Sequence, residues 1–203
     1  MIDLYDNIIP PEYVLTKAND DRIGIINCTE KRHTKKFNEY DEISFTTYLY
    51  IDNQKNEIYD KIAELQYVEL PDIGRFIINR IEIDSSGSDF ESKQCTALSI
   101  EVTLAQKYLE HFVINMGTTE SIDGVCLYNL SNPEKSLLHL VLEKCPDWTI
   151  GHVDTELMTV ERCFEVDRQD VYSFLVNDIS EKFECIFLFD TIHRRINVYT
   201  EEH

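Results

Sequence analysis

The chain has 203 residues, 43% of them apolar and 11% aromatic, with 19 Lys and Arg against 38 Asp and Glu, a formal charge of −19. An acid surplus of that size excludes a free-standing nucleic-acid binder, which needs a basic face to neutralise phosphates, and an anionic membrane surface repels it equally. The apolar content is too high for a disordered acidic tail, so the chain buries a core and runs to one or two domains.

The acidity is spread along the chain. Residues 1–115 hold 21 acids and 12 bases, net −9, and residues 116–203 hold 17 and 7, net −10. This charge belongs to folded surface rather than to a terminal run. Ile and Val together number 35, against 17 Leu and 4 Ala. Branching at Cβ suits a pleated surface, so strand outweighs helix. The N-terminus, MIDLYDNIIPPEY, has neither a basic region nor a long apolar stretch, so no secretory signal is expected. No apolar run reaches membrane-spanning length.

In chain order, residues 22–26 (RIGII) read as a short strand. A basic loop follows, carrying Lys31, Arg32, His33, Lys35 and Lys36. Ile43, Phe45, Thr47 and Leu49 then alternate with Ser44, Thr46, Tyr48 and Tyr50, a period of two that predicts a strand. One or two helical turns are expected over 57–65. Strands are expected over 75–83 (RFIINRIEI), 93–103 and 111–115, with a turn at DSSGSD (84–89) between the first two.

Character changes after Gly117. Asn132 is placed to cap a helix with Pro133 at its first position, and Leu137, Leu138, Val141, Leu142 and Cys145 share one face before Pro146 stops it. Strands are expected over 148–153 and 158–166. Asp167 is a candidate cap for a second helix with Val171, Phe174, Leu175, Ile179 and Phe183 on its buried stripe. A hairpin over 185–189 and 195–199 closes the chain. The expected architecture is α+β and β-rich: a β domain over 1–115, then a small α/β domain over 116–203 with two helices on a mixed sheet.

Catalytic or ligand-binding patterns are sparse. Cys163 with His152 and Asp154 could form a thiol-hydrolase arrangement, but a cysteine inside a strand-like run reads as an inert core thiol. The six cysteines show no CxxC pair, and no histidine stands at metal-ligand spacing to another ligand, so neither a metal nor a cofactor is expected. His139 lies off the apolar stripe of its helix, and His193 sits in a turn beside Arg194 and Arg195. The DSSGSD loop lacks the calcium-loop order of ligands. The run Lys31, Arg32, Lys35 and Lys36 is the one local reversal of sign. It reads as a solvated hairpin loop or as an intersubunit contact to an acidic neighbour such as a copy of this acidic chain.

The segments FNEYDEISFTTYL (37–49), VELPDIGRFIINRIEI (68–83), SIEVTL (99–104), PEKSLLHLVLEKCPDWTIGHVD (133–154) and FEVDRQDVYSFLVNDISEKFECIFLFDTIHRRINVY (164–199) resemble the N-terminal region of phage minor structural proteins. These are tail-tip baseplate hub, or prophage tail endopeptidase-like, proteins. The resemblance implies a virion structural protein at the tail tip, made in the bacterial cytoplasm. It implies a barrel-like tail-tube domain followed by an α/β domain, assembled as a homotrimeric ring with the distal tail protein and the tape-measure protein as partners. DNA passes such a ring in transit, and nothing inserts in a membrane. No enzymatic activity is expected of this region. The alternative it implies is the N-terminal fragment of a tail-associated peptidase or cell-wall hydrolase whose catalytic region lies elsewhere. Beside that resemblance, the acid surplus suggests a channel wall of carboxylates that repels passing phosphates.

Overall fold

Residues 11–35, 39–85, 91–114 and 124–201 are described in a computed structural model. The chain divides into two compact units, residues 1–100 and residues 101–203.

The first unit is one antiparallel sheet of seven strands: β1 (Tyr13–Thr16), β2 (Arg22–Ile26), β3 (Thr29–Thr34), β4 (Glu42–Tyr48), β5 (Tyr67–Leu70), β6 (Gly74–Asp84) and β7 (Ser92–Ser99). Their spatial order is β2-β1-β5-β6-β7-β4-β3. The period-two pattern of β4 does what its sequence requires, for Ile43, Phe45 and Thr47 are all buried. Ile43 and Phe45 join Tyr13, Leu15, Val68, Leu70, Phe76, Ile78, Cys95 and Ala97 in one apolar core.

The sheet is rolled on itself. In its order β1 and β4 stand four neighbours apart, which in a flat sheet is about 19 Å. Yet the Tyr13 and Phe45 rings meet edge to face at 5.3 Å. The two outermost strands, β2 and β3, are also consecutive in the chain, with only Asn27 and Cys28 between them. Lys31 on β3 reaches over the resulting seam, donating to the Pro11 carbonyl at 3.3 Å and lying 5.1 Å from the Tyr13 ring. Among the described residues no ladder joins β2 to β3, so the rolled sheet is open along this line.

Two expectations for this unit change, and a third is met. The basic run is largely strand rather than loop, because Thr29–Thr34 pairs with β4. That pairing slips between Thr29 and Arg32, where Glu30 takes a left-handed φ of 51°. The one or two helical turns expected over 57–65 are met by a single 3-10 turn, Tyr59–Lys61, held by Lys93, whose ammonium donates to the Tyr59 and Ile62 carbonyls at 2.8 and 3.0 Å. The strand expected over 93–103 stops at Ser99. The Ile100 N–H then donates to the Arg75 carbonyl and a helical turn, Val102–Ala105, begins.

The division between units accordingly falls after Ile100 rather than after Asn115. Backbone pairing explains the difference. Tyr108–Leu109 pairs with Gln169–Asp170, and Phe112–Ile114 pairs with Phe164–Val166, so residues just past 100 are tied into the second unit. A further short ladder joins Val125–Cys126 to Glu161–Arg162.

The second unit carries a helix α1 (Leu137–Leu142), a strand β8 (Thr149–Val153), a helix α2 over 171–183, and a hairpin of β9 (Cys185–Asp190) and β10 (Arg195–Thr200). The sheet order is β8-β10-β9, with β8 parallel and β9 antiparallel to β10, so it is mixed. Asn132 and Pro133 open only a 3-10 turn, Pro133–Lys135, with no side-chain cap, and α1 starts after Ser136. Asp170, not Asp167, caps α2, its Oδ1 accepting the Ser173 N–H at 2.8 Å. The helix cannot start earlier because Gln169 and Asp170 are held in their ladder. Its middle, Phe174–Ile179, is wound as a π-helix that turns Phe174, Leu175, Val176 and Ile179 all into the core. Glu184, at a left-handed φ of 53°, ends it. The strand expected over 158–166 is broken into the 3-10 turn Thr155–Met158 and two short strands. No helix of the described residues is long and apolar enough to cross a membrane.

Candidate assembly surface

Three of the four singled-out cations lie among the described residues; Lys36 lies outside them. They do not form one equivalent group. Lys31 is committed within the chain to Pro11 and Tyr13. Arg32 is exposed on β3, opposite Ser44, and Lys35 is exposed just past the strand. A free edge strand presents unpaired N–H and C=O groups, and the charges and register slip of β3 blunt that hazard.

Inward from this edge, the outer face of β3, β4, β7 and β6 holds an open trough of about 350 Å³ lined by Glu30, Thr46, Tyr48, Glu82, Ile83, Asp84, Ser92 and Gln94. Pairing explains the grouping: Thr46 lies opposite Gln94, and Gln94 opposite Glu82, so these side chains share the outer face. The Thr46 hydroxyl donates to Glu30 at 2.7 Å. This wall of the first unit is polar and acid-lined beside a basic edge. Of the DSSGSD turn, residues 86–89 lie outside the described residues.

Elsewhere the polar groups act as fasteners. Arg75, only 2% exposed, donates to the Lys17 carbonyl at 2.7 Å, pairs with Asp20, and stacks 4.5 Å from the Tyr67 ring. It fixes the β1–β2 turn from below. Nothing in the sequence distinguishes it from the other arginines except its place beside the apolar run FII.

His139, His152 and His193 are paired locally. His152 meets Asp154 at 2.8 Å, and the same carboxylate accepts the Thr200 N–H at 2.8 Å. The Thr200 amide first, and His152 next, hold the Asp154 carboxyl below the ordinary carboxylate range. No hydrogen bond or ring contact among the described residues brings Cys163 to either. The Cys163 carbonyl instead receives Lys182 at 2.8 Å. His193 turns back on Asp190 at 2.8 Å, and His139 bonds Ser136 at 2.7 Å while stacking on Tyr128. Burial pushes the thiols of Cys28 and Cys145 up to about 11 and those of Cys95 and Cys185 up to about 12, so they are not nucleophiles near neutral pH. Among the described residues no three His, Cys, Asp or Glu side chains converge as metal ligands.

No protein-family model and no curated protein matches the sequence. Solved structures do share its fold. One is the prophage tail protein gp18 from Listeria monocytogenes EGD-e, with a TM-score of 0.62 and 11% identity over 93% of this chain and 50% of that one. Another is the tail protein from Neisseria meningitidis MC58, with a TM-score of 0.60 and 7% identity over 94% of this chain and 50% of that one. The chain therefore spans about half the length of these structures, and at such low identity the likeness is one of fold: the β-rich fold of this chain is the fold found in these two tail proteins.

Proposed function

We propose that this chain is a structural component of a bacteriophage or prophage tail tip, a baseplate hub element that assembles as a ring, closes the tail tube and lets DNA pass. The observation that carries the reading is the likeness to two tail proteins over more than nine-tenths of the chain. The rolled sheet supports it as well, since a sheet curved on itself is suited to forming a segment of a tube wall. On this reading the ring is a homotrimer, its neighbours are the distal tail and tape-measure proteins, and its place is the virion tail tip. Arg32 and Lys35 contribute to the contact between subunits, and the chain itself performs no catalysis.

Electron microscopy of the purified chain, alone and with its distal tail partner, tests the reading. Three-fold rings with a central channel are expected. A monomer at all concentrations that also ignores its distal tail partner would overturn it.

A further inference from the structure

The outer edge of the small sheet, β9, is built unlike every guarded edge in the molecule. The directions of its backbone groups follow from its neighbour. Asp154 donates its N–H to the Val198 carbonyl at 3.1 Å and accepts the Thr200 N–H at 2.8 Å, so Val198 and Thr200 face β8. The N–H and C=O of one residue leave a strand on the same side, and successive residues alternate. Arg195, Asn197 and Tyr199 therefore face β9, where the register sets them opposite Asp190, Leu188 and Ile186. Phe187 and Phe189 accordingly direct both of their backbone groups away from the sheet. Among the described residues no strand lies beyond them. The Cys185 carbonyl, on the same side, is taken by the Ser180 hydroxyl.

Edge strands left without a strand partner in this way are normally interrupted by charge, proline or a bulge. The basic edge β3 carries Lys31, Arg32 and a register slip, and β8 slips between Ile150 and Val153. The run CIFLF (185–189) carries none of these, and its register with β10 is unbroken. Leu188, in its middle, is 55% exposed on the outer face.

We propose that this edge pairs, antiparallel, with the same edge of a second copy across a two-fold axis at Leu188. That register is self-complementary. Phe187 of each copy exchanges both backbone groups with Phe189 of the other, and the two Leu188 side chains meet at the axis as a non-hydrogen-bonded pair. The charges at the two strand ends are compatible with the same arrangement. Glu184 and Glu201, joined by a hydrogen bond of 3.0 Å from the Glu201 N–H to the Glu184 carbonyl, lie at the start of β9, and His193, Arg194 and Arg195 lie past its end. Antiparallel pairing lays the acidic end of each copy along the basic turn of the other. Of the opposing charges, Lys182 is turned to the Phe164 ring, and Asp190 and Asp147 hold His193 and Arg194.

The proposal involves the second unit alone and does not rest on the tail-hub reading. Its test is sedimentation of the full chain together with cysteine crosslinking. Wild type is expected to self-associate, Leu188→Lys to weaken that association at least about tenfold, and Leu188→Cys to give an interchain disulfide under mild oxidation. Tyr199→Cys, on the same face one strand inward, is expected to give none. Far-ultraviolet circular dichroism checks that each variant folds. If wild type stays monomeric and Leu188→Cys does not crosslink, the pairing is wrong. If the chain forms rings indifferent to both Leu188 variants, the pairing is wrong and the hub reading stands.

Discussion

Asp154 binds Thr200 twice, accepting its N–H at 2.8 Å and its hydroxyl at 3.1 Å, and thereby ties the end of β8 to the end of β10. Both are donors to a carboxylate, so the tie strengthens when Asp154 is ionised, and its pKa falls below the ordinary value. A depressed carboxyl contributes stability that is complete above the unfolded value of about 3.9 and is lost as pH falls through the folded one. The thermal midpoint of the chain should therefore drop on acidification below about pH 4. Asp154→Asn should be less stable at neutral pH, with the gap to wild type closing in acid.

Arg75 and Asp20 should be unequal partners. Arg75 is 2% exposed and Asp20 73% exposed, so only the arginine is sequestered from water. Arg75→Met leaves the Lys17 carbonyl without its charged donor and should cost about 2–3 kcal/mol in urea titration. Arg75→Lys should recover little, since an ammonium cannot span the carbonyl, the carboxylate and the Tyr67 ring together. Asp20→Asn should cost less than about 1 kcal/mol. Equal losses from the two single variants would contradict this assignment.

Gly151 is required by a neighbour rather than by its own backbone. A Cβ there would lie 2.3 Å from Asn197 Oδ1, the atom that accepts the His152 N–H at 2.8 Å. Gly151→Ala should cost roughly 1–2 kcal/mol by displacing that acceptor. In an Asn197→Ala background the same change should cost less, and a double-mutant cycle on the denaturation midpoints reads the coupling.

How much of this was legible follows from what each signal depends on. The period-two run at Ile43, Phe45 and Thr47 and the stripe Val171, Phe174, Leu175, Ile179 and Phe183 depend on local spacing, and the buried set matches them. The start of α2 depends on a distant ladder: Asp167 and Asp170 are both competent caps, and only the pairing of residues 169–170 with 108–109 selects the second. The same ladder sets the division between units. Lys31 and Arg32 look like loop because charge dominates their composition, whereas β3 is an edge strand that tolerates charge on its exposed face. The acid-lined trough was not legible, since it joins residues 30, 46, 82 and 94 through sheet order alone.

The buried thiols should be chemically silent in the native chain. A thiol raised from about 9 to about 12 holds roughly a thousandfold less thiolate at a given pH, and the thiolate is the reacting species. Alkylation at pH 8 followed by mass spectrometry should leave Cys95 and Cys185 unmodified until denaturant is added. Rapid native modification of either would show that its strand opens on the timescale of the reaction.

The cations of the basic run should separate into two kinds under mutation. Lys31 spans the seam, so Lys31→Met gives up a carbonyl hydrogen bond and a cation–π contact and should cost about 1 kcal/mol of stability. Arg32 and Lys35 are exposed, so the double change Arg32→Glu, Lys35→Glu should alter stability by less than about 0.5 kcal/mol. In sedimentation the order reverses. If Arg32 and Lys35 meet an acidic neighbouring subunit, the charge-reversed chain should assemble more weakly and lose the salt dependence of wild type, while Lys31→Met assembles normally. Assembly of the double variant at wild-type strength, with salt dependence intact, would leave the basic run with no role beyond guarding an edge.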